Sequence, residues 1–398
     1  MLALQEALMR LMATKPLALS RRQFLTGLAA SGVALSASSS LAFANGLPFA
    51  EAEDLQLFAS ALRTPTGSYA LAVFSEDGEV LYQAPLPDRG HAISFDRNSM
   101  RLLSFARRPE TFAVLADLTG AREPVVFTSP EDRHFYGHGV FSPDGRLAYA
   151  PENDFANVRG VIGVYDVSGD QPKRIGEFES YGVGPHDLLM SPDGSQLVVA
   201  NGGIETHPDM GREKLNLDTM KPTVAFIDTA TGDLLAKQTL GSDLHQLSLR
   251  HMSFDGNGDV WVGGQFQGAK DATPPLMVHL GLDKTATALE MPLELTKGLQ
   301  NYVGSVEMNR SGDVIAASCP RGGKILYWDV AQRSFIGFHQ VADGCGVAPL
   351  DEESFAITDG NGAISFGGTE DGVAQIISQS AGVSWDNHLT PLGILREG

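Results

Sequence analysis

The chain has 398 residues, of which 43% are hydrophobic and 19% charged, the composition of a folded protein and not of a disordered one. Its 44 glycines suit a turn-rich β fold. A net charge of −19 with no basic stripe argues against nucleic acid and against an anionic membrane surface as partners.

The first element in chain order is a targeting segment, residues 1–44. Ser20-Arg21-Arg22-Gln23-Phe24-Leu25 matches the twin-arginine export signal. A mild apolar stretch from Leu25 to Leu41 and the small-residue site Ala42-Phe43-Ala44 follow it. That stretch is rich in Ala, Ser and Gly and too weakly hydrophobic for a stable spanning helix, so no stable membrane insertion is expected. The expectation is export in a folded state, cleavage after Ala44 and a periplasmic mature protein of residues 45–398. That mature chain carries 25 basic against 47 acidic residues, a net charge of −22.

From there a short grammar of strands and tight turns returns every 40–50 residues. Its clearest copies are Phe141-Ser142-Pro143-Asp144-Gly145-Arg146-Leu147 and Met190-Ser191-Pro192-Asp193-Gly194-Ser195-Gln196-Leu197, whose turn glycines are 49 positions apart. Weaker copies turn at Asp96, Asp255-Gly256-Asn257-Gly258, Ser311-Gly312 and Asp351. Such a period carrying four short strands is the signature of a β-propeller, one repeat per blade. The predicted fold is therefore all-β: a single seven-bladed propeller.

Blade one supplies only three strands, near 55–62, 69–74 and 80–84. Blade two runs over 91–127, blade three over 138–178, and blade four over 186–240 with an insertion at 202–221. Blades five, six and seven cover 247–291, 303–338 and 345–378. The C-terminal Trp385-Asp386-Asn387-His388-Leu389-Thr390-Pro391-Leu392 resembles the opening strand of blade two, Gly90-His91-Ala92-Ile93. It is assigned as the missing inner strand of blade one, closing the ring and removing its exposed edges.

In such a ring the loops that precede the inner strands share a face with the loops between second and third strands. His91, His138, His186, His251 and His388 fall near the starts of inner strands, and His245 lies just before one. Arg107, Arg108, Glu152, Asn153, Asn201, His207, Arg212, Gln265 and Arg321 are expected at the same mouth. Histidine is the commonest metal ligand, so this face is the candidate ligand site, with His138, His186 and His245 as ligands for iron or another divalent metal. The alternative is a ring of structural, hydrogen-bonding histidines. The blade-four insertion is placed to bring Glu205, His207 and Arg212 over the mouth. No Gly-x-Ser-x-Gly elbow, His-Glu-x-x-His helix, P-loop or haem-attachment motif is present. Cys319 and Cys345 fall on one face of adjacent blades, and in an oxidising compartment they are expected to form a disulfide, the alternative being two buried free thiols.

Several segments carry a family resemblance: Tyr136-Gly137-His138-Gly139, Gly184-Pro185-His186-Asp187, Asn201-Gly202-Gly203-Ile204-Glu205-Thr206-His207-Pro208, Leu244-His245-Gln246, Pro320-Arg321-Gly322-Gly323 and Trp385-Asp386-Asn387-His388. With the arginine-pair signal, they resemble the bacterial exported family called domain of unknown function 1513. The resemblance implies a propeller related in fold to YVTN-type repeats and to the non-catalytic subunit of quinoprotein amine dehydrogenase. Through gene neighbourhood it also implies iron acquisition and periplasmic iron-uptake or oxidoreductase partner proteins. It brings no reaction with it. Three readings compete: a periplasmic binding or accessory protein using the histidine-rich mouth, a metal-assisted lactonase or esterase built on Glu152, His186, Asn201 and Arg321, and a non-catalytic scaffold for an oxidoreductase.

Overall fold

Short runs of β-branched and aromatic residues, punctuated by tight turns, fold into seven antiparallel sheets set as the blades of a propeller. The computed structural model describes residues 46–47, 55–369 and 374–394. The export signal and cleavage site expected within residues 1–44 lie outside them. Among the described residues, no helix is long and apolar enough to cross a membrane.

From the channel outwards, blade two consists of Gly90–Asp96, Arg101–Ala106, Phe112–Asp117 and Val125–Thr128. Blade four consists of Pro185–Met190, Gln196–Asn201, Thr223–Asp228 and Leu234–Thr239. Blades five, six and seven open with inner strands Leu247–Phe254, Ser305–Met308 and Gly344–Pro349. Blade three departs from its expected start at His138. Its inner strand is split into Arg133–Phe135 and Val140–Phe141, and His138 sits in the gap.

Blade one closes the ring as the sequence predicts. Gln56–Arg63 pairs on its inner side with the C-terminal Ser384–Trp385 and Thr390–Ile394, through Leu62 with Trp385 and Phe58 with Pro391. The apolar core lies between blades. Phe58, Phe74, Trp385 and Ile364 fill the seam between blades seven and one, and Leu71, Leu102 and Leu392 the seam between one and two. Trp261 and Trp328 anchor the seam between five and six.

The Ser-Pro-Asp-Gly turns hold themselves and their neighbours. Asp144 accepts from Ser142 Oγ at 2.6 Å and from the Arg146 amide at 3.1 Å. Arg101 of blade two donates to the Gly145 carbonyl at 2.6 Å, tying blade two to blade three.

Most inner strands are irregular at one level. Register shifts fall between Gly90 and Ile93, Pro185 and Asp187, Leu249 and His251, and Gly344 and Val347. The inner strands of blades three and one break outright over 136–139 and 386–389. A bulge rotates a side chain out of the regular alternation, and on an inner strand the direction it gains is the channel.

Candidate metal centre

Those irregularities deliver five histidines to one place. His388 comes from the blade-one break, His91 from the blade-two bulge, His138 from the blade-three break, and His186 and His251 from the bulges of blades four and five. Ring centroids of neighbouring pairs stand 4.6 Å (His388 and His91), 5.0 Å (His91 and His138), 5.2 Å (His138 and His186), 4.9 Å (His186 and His251) and 4.8 Å (His251 and His388) apart. Two groups, His91-His138-His186 and His138-His251-His388, bring one nitrogen from each ring within 4.8 Å of one another. Gly137, at φ 106°, is required here, because a Cβ would stand 2.6 Å from the His91 ring.

The hydrogen bonding of the cage is incomplete in a specific way. His91 Nδ1 meets Asp386 Oδ1 at 2.9 Å, and His138 Nδ1 meets Asp187 Oδ1 at 2.9 Å. Each carboxylate accepts the Nδ1 proton and leaves the Nε2 lone pair free, as outer partners of metal-bound histidines do. His138 Nε2, His186 Nε2, His388 Nε2 and both nitrogens of His251 are buried without any partner. Buried polar atoms are nearly always satisfied, so this many orphans converging on one point call for a guest.

The electrostatics favour the neutral form of four of the rings, the form a ligand needs. Burial pushes His91 down to about 4, against the pull of Asp386. Burial lowers His186 further below the usual range with help from Arg250, and lowers His251 and His388 with help from the surrounding histidines. Burial and the neighbouring Asp187 push the Glu307 carboxyl, on the blade-six inner strand, up to about 8.

A second cluster, Asp255, Asp259 and His279, has a different character. Asp255 accepts from Trp261 Nε1 at 3.2 Å and from two backbone amides, and Asp259 pairs with Lys284. The protein supplies its partners, so it reads as a structural network of blade five.

The other expected residues spread out. His245 is not part of the cage: it follows the turn Ser242–Leu244, and its Nδ1 bonds the Ser242 carbonyl at 2.8 Å. The structure thus sets His245 apart from His138 and His186, which it groups with His91, His251 and His388. Glu152 is fully buried in blade three, gripped by Tyr165 at 2.6 Å, Arg174 at 2.9 Å and Arg133 at 3.4 Å. Asn201 donates to the Ser180 carbonyl at 2.8 Å, and Asn153 to His134 Nε2 at 3.0 Å and the Thr206 carbonyl at 3.1 Å. These three are engaged in holding blades and loop in place.

His207 caps the turn Pro208–Met210 and lines a recess with Arg108, His134 and Arg212. Gln265 bridges to Tyr302, whose ring lies 4.9 Å under the Arg321 guanidinium. The expected disulfide is absent. Cys319 is buried among the apolar residues between blades five and six, whereas the Cys345 thiol donates to the Asp343 carbonyl at 2.9 Å. Sequence reasoning missed Asp187, Asp386 and Arg250, although each is the chain neighbour of a cage residue or one removed from it.

Fold and cage define a β-propeller with a candidate metal centre in its channel. The chain belongs to the family described as protein of unknown function (DUF1513), whose model matches residues 84–392. No curated protein matches it in sequence. Among solved structures it is similar in fold to Pseudomonas aeruginosa periplasmic gluconolactonase, PpgL, at 14% identity and a TM-score of 0.58, covering 86% of this chain and 100% of that one. Kuenenia stuttgartiensis hydrazine synthase follows at 13% identity and 0.57, covering 85% and 99%. The Myceliophteria thermophila Cps50 (Swd1) β-propeller domain stands at 13% and 0.52, covering 76% and 93%. At these identities the likeness is one of fold alone.

Proposed function

We propose that this protein is a periplasmic metal-binding propeller that holds one divalent transition-metal ion in its five-histidine cage and serves iron acquisition as a binding or accessory protein without turnover. The observation that carries the reading is the unpartnered Nε2 atoms of His138, His186, His251 and His388, with the His138 ring oriented by Asp187 and the adjoining His91 ring by Asp386 on their Nδ1 atoms. A ligating nitrogen about 2.1 Å from an ion puts its ring centroid about 3.2 Å out, so rings at right angles stand about 4.6 Å apart and opposed rings about 6.5 Å. The observed separations run from 4.6 Å to the 6.4 Å between His91 and His251. They suit an ion within the cage, whose nitrogens form two groups that share His138. An all-imidazole set favours copper, nickel, zinc or ferrous iron over hard, oxygen-seeking ions. Iron is the physiological choice suggested by the family resemblance.

The test is equilibrium dialysis of the purified, folded chain against Fe(II), Cu(II) and Zn(II) separately, with oxygen excluded for iron. One ion per chain is expected, with affinity reduced at least 100-fold in His251→Gln/His388→Gln of unchanged secondary structure. No stoichiometric ion in the wild type, or equal affinity in the double variant, contradicts the proposal. Impaired growth of a deletion strain under iron limitation tests the physiological half.

A further inference from the structure

Among the described residues, the channel mouth outside the cage carries arginines that form no ion pair, although the Asp386 carboxylate acts on Arg107 from further off. Arg107 and Arg108 follow the second strand of blade two, Arg250 is the bulge residue of blade five, and Arg321 sits in the turn Pro320–Gly322 after the second strand of blade six. The blade-four insertion adds Arg212 and Lys214. Six of the 29 Lys and Arg residues of a strongly acidic chain thus share one mouth. Elsewhere several arginines are paired, Arg89 with Asp386, and Arg133, Arg159 and Arg174 with Glu152, Asp154 and Glu177, whereas the unpaired Arg63, Arg97, Arg146 and Arg310 lie scattered along the chain. Among the described residues Arg107, Arg108, Arg212, Arg250 and Arg321 have no carboxylate partner.

The mouth is tied to the cage. Arg250 is the chain neighbour of His251, and its Nε reaches only Ser248 Oγ, at 3.4 Å. Arg321 lies over Tyr302, whose hydroxyl accepts from Asn387 at 2.6 Å, and Asn387 is the chain neighbour of His388. Arg108 and Arg212 line one recess. A partly buried cation without a counter-ion is costly unless a ligand supplies the charge.

We propose that this arginine mouth binds a small multivalent oxyanion, a polycarboxylate or a phosphate, beside the histidine cage. Guanidinium forks match either group bidentately, and several forks at one opening select for more than one negative charge. The proposal extends the metal-binding reading, since an anion held by Arg250 lies next to the ion held by His251. It needs no metal for binding itself.

Calorimetric titration of the metal-stripped full chain with citrate, and separately with pyrophosphate, tests it. One anion per chain is expected, with affinity falling as salt rises and at least tenfold weaker in Arg107→Gln/Arg321→Gln. Arg146→Gln, an exposed change in a Ser-Pro-Asp-Gly turn, should leave binding unchanged, and melting curves verify that the variants fold. Binding of citrate alone or pyrophosphate alone identifies the group. Binding of neither, or an unchanged affinity in the folded double variant, overturns the proposal. Anion binding by a chain that takes up no metal leaves the mouth standing and removes the metal centre, and the reverse result removes only the mouth.

Discussion

Asp187 does two things at once: it accepts the Nδ1 proton of His138 and receives the Met252 amide at 2.9 Å, linking blade four to blade five. Asp187→Asn keeps a similar shape but loses the charge that fixes the His138 tautomer. Metal affinity is expected to fall 10–100-fold, the usual effect of losing an outer-shell carboxylate, read by competition with a chromophoric chelator. The cage also sets a pH dependence. His91, His186, His251 and His388 have folded pKa values below the ordinary 6.5. Between about pH 6.5 and 4 the unfolded chain binds more protons than the folded one, so stability rises with pH. In metal-free protein, stability should be full above pH 6.5 and fall as pH drops towards 4, by up to about 1.4 kcal/mol per pH unit per histidine. A flat melting temperature across that window contradicts the assignment of four neutral imidazoles. All five cage histidines were legible at this scale as residues near the starts of inner strands, and His91, His138 and His186 keep the blade period, at intervals of 47 and 48 residues. His245 misled because it lies just before an inner strand, whereas the position that faces the channel is set by a bulge inside the strand, which has no sequence mark of its own. Glu152 misled for a similar reason: Arg133 and Arg174, distant in sequence, capture it within its own blade.

The element that decides the ring is the C-terminal strand. Its Trp385 packs on Phe74 at 4.7 Å and is 3% exposed, Leu389 is buried in the same seam, and Leu392 in the seam between blades one and two. Trp385→Ala removes most of the apolar seal between blades seven and one and is expected to cost about 3–5 kcal/mol, measured by denaturant unfolding. A loss below about 1 kcal/mol indicates that the segment does not close the ring. The closure was legible because blade one has three strands of its own and the spare segment repeats the pattern of Gly90-His91. The broken inner strand of blade three was not: Gly137 and Gly139 open it for reasons of space, to admit the His91 ring and Phe105, residues of the neighbouring blade. The disulfide misled because adjacent blades place two chain positions near one face without fixing where their side chains point.

At the scale of the whole molecule, one ion bound by residues of blades one to five would clip the C-terminal strand to most of the ring. Binding to the folded state alone stabilises by about 2.7 kcal/mol at a free metal concentration of 100 times Kd, so the melting temperature should climb with metal in the wild type and stay fixed in His251→Gln/His388→Gln. Folding before export is the matching expectation for a cage assembled from both ends of the propeller, and Arg21→Lys/Arg22→Lys should trap the precursor inside the cell. X-ray absorption at the edge of the bound metal, on the full chain loaded with one equivalent, reads the central claim most directly. The account predicts a first shell of nitrogen at about 2.0–2.2 Å with the outer-shell scattering of several imidazoles and no sulfur. A shell dominated by carboxylate oxygen or by thiolate sulfur, or a metal without imidazole scattering, would contradict it.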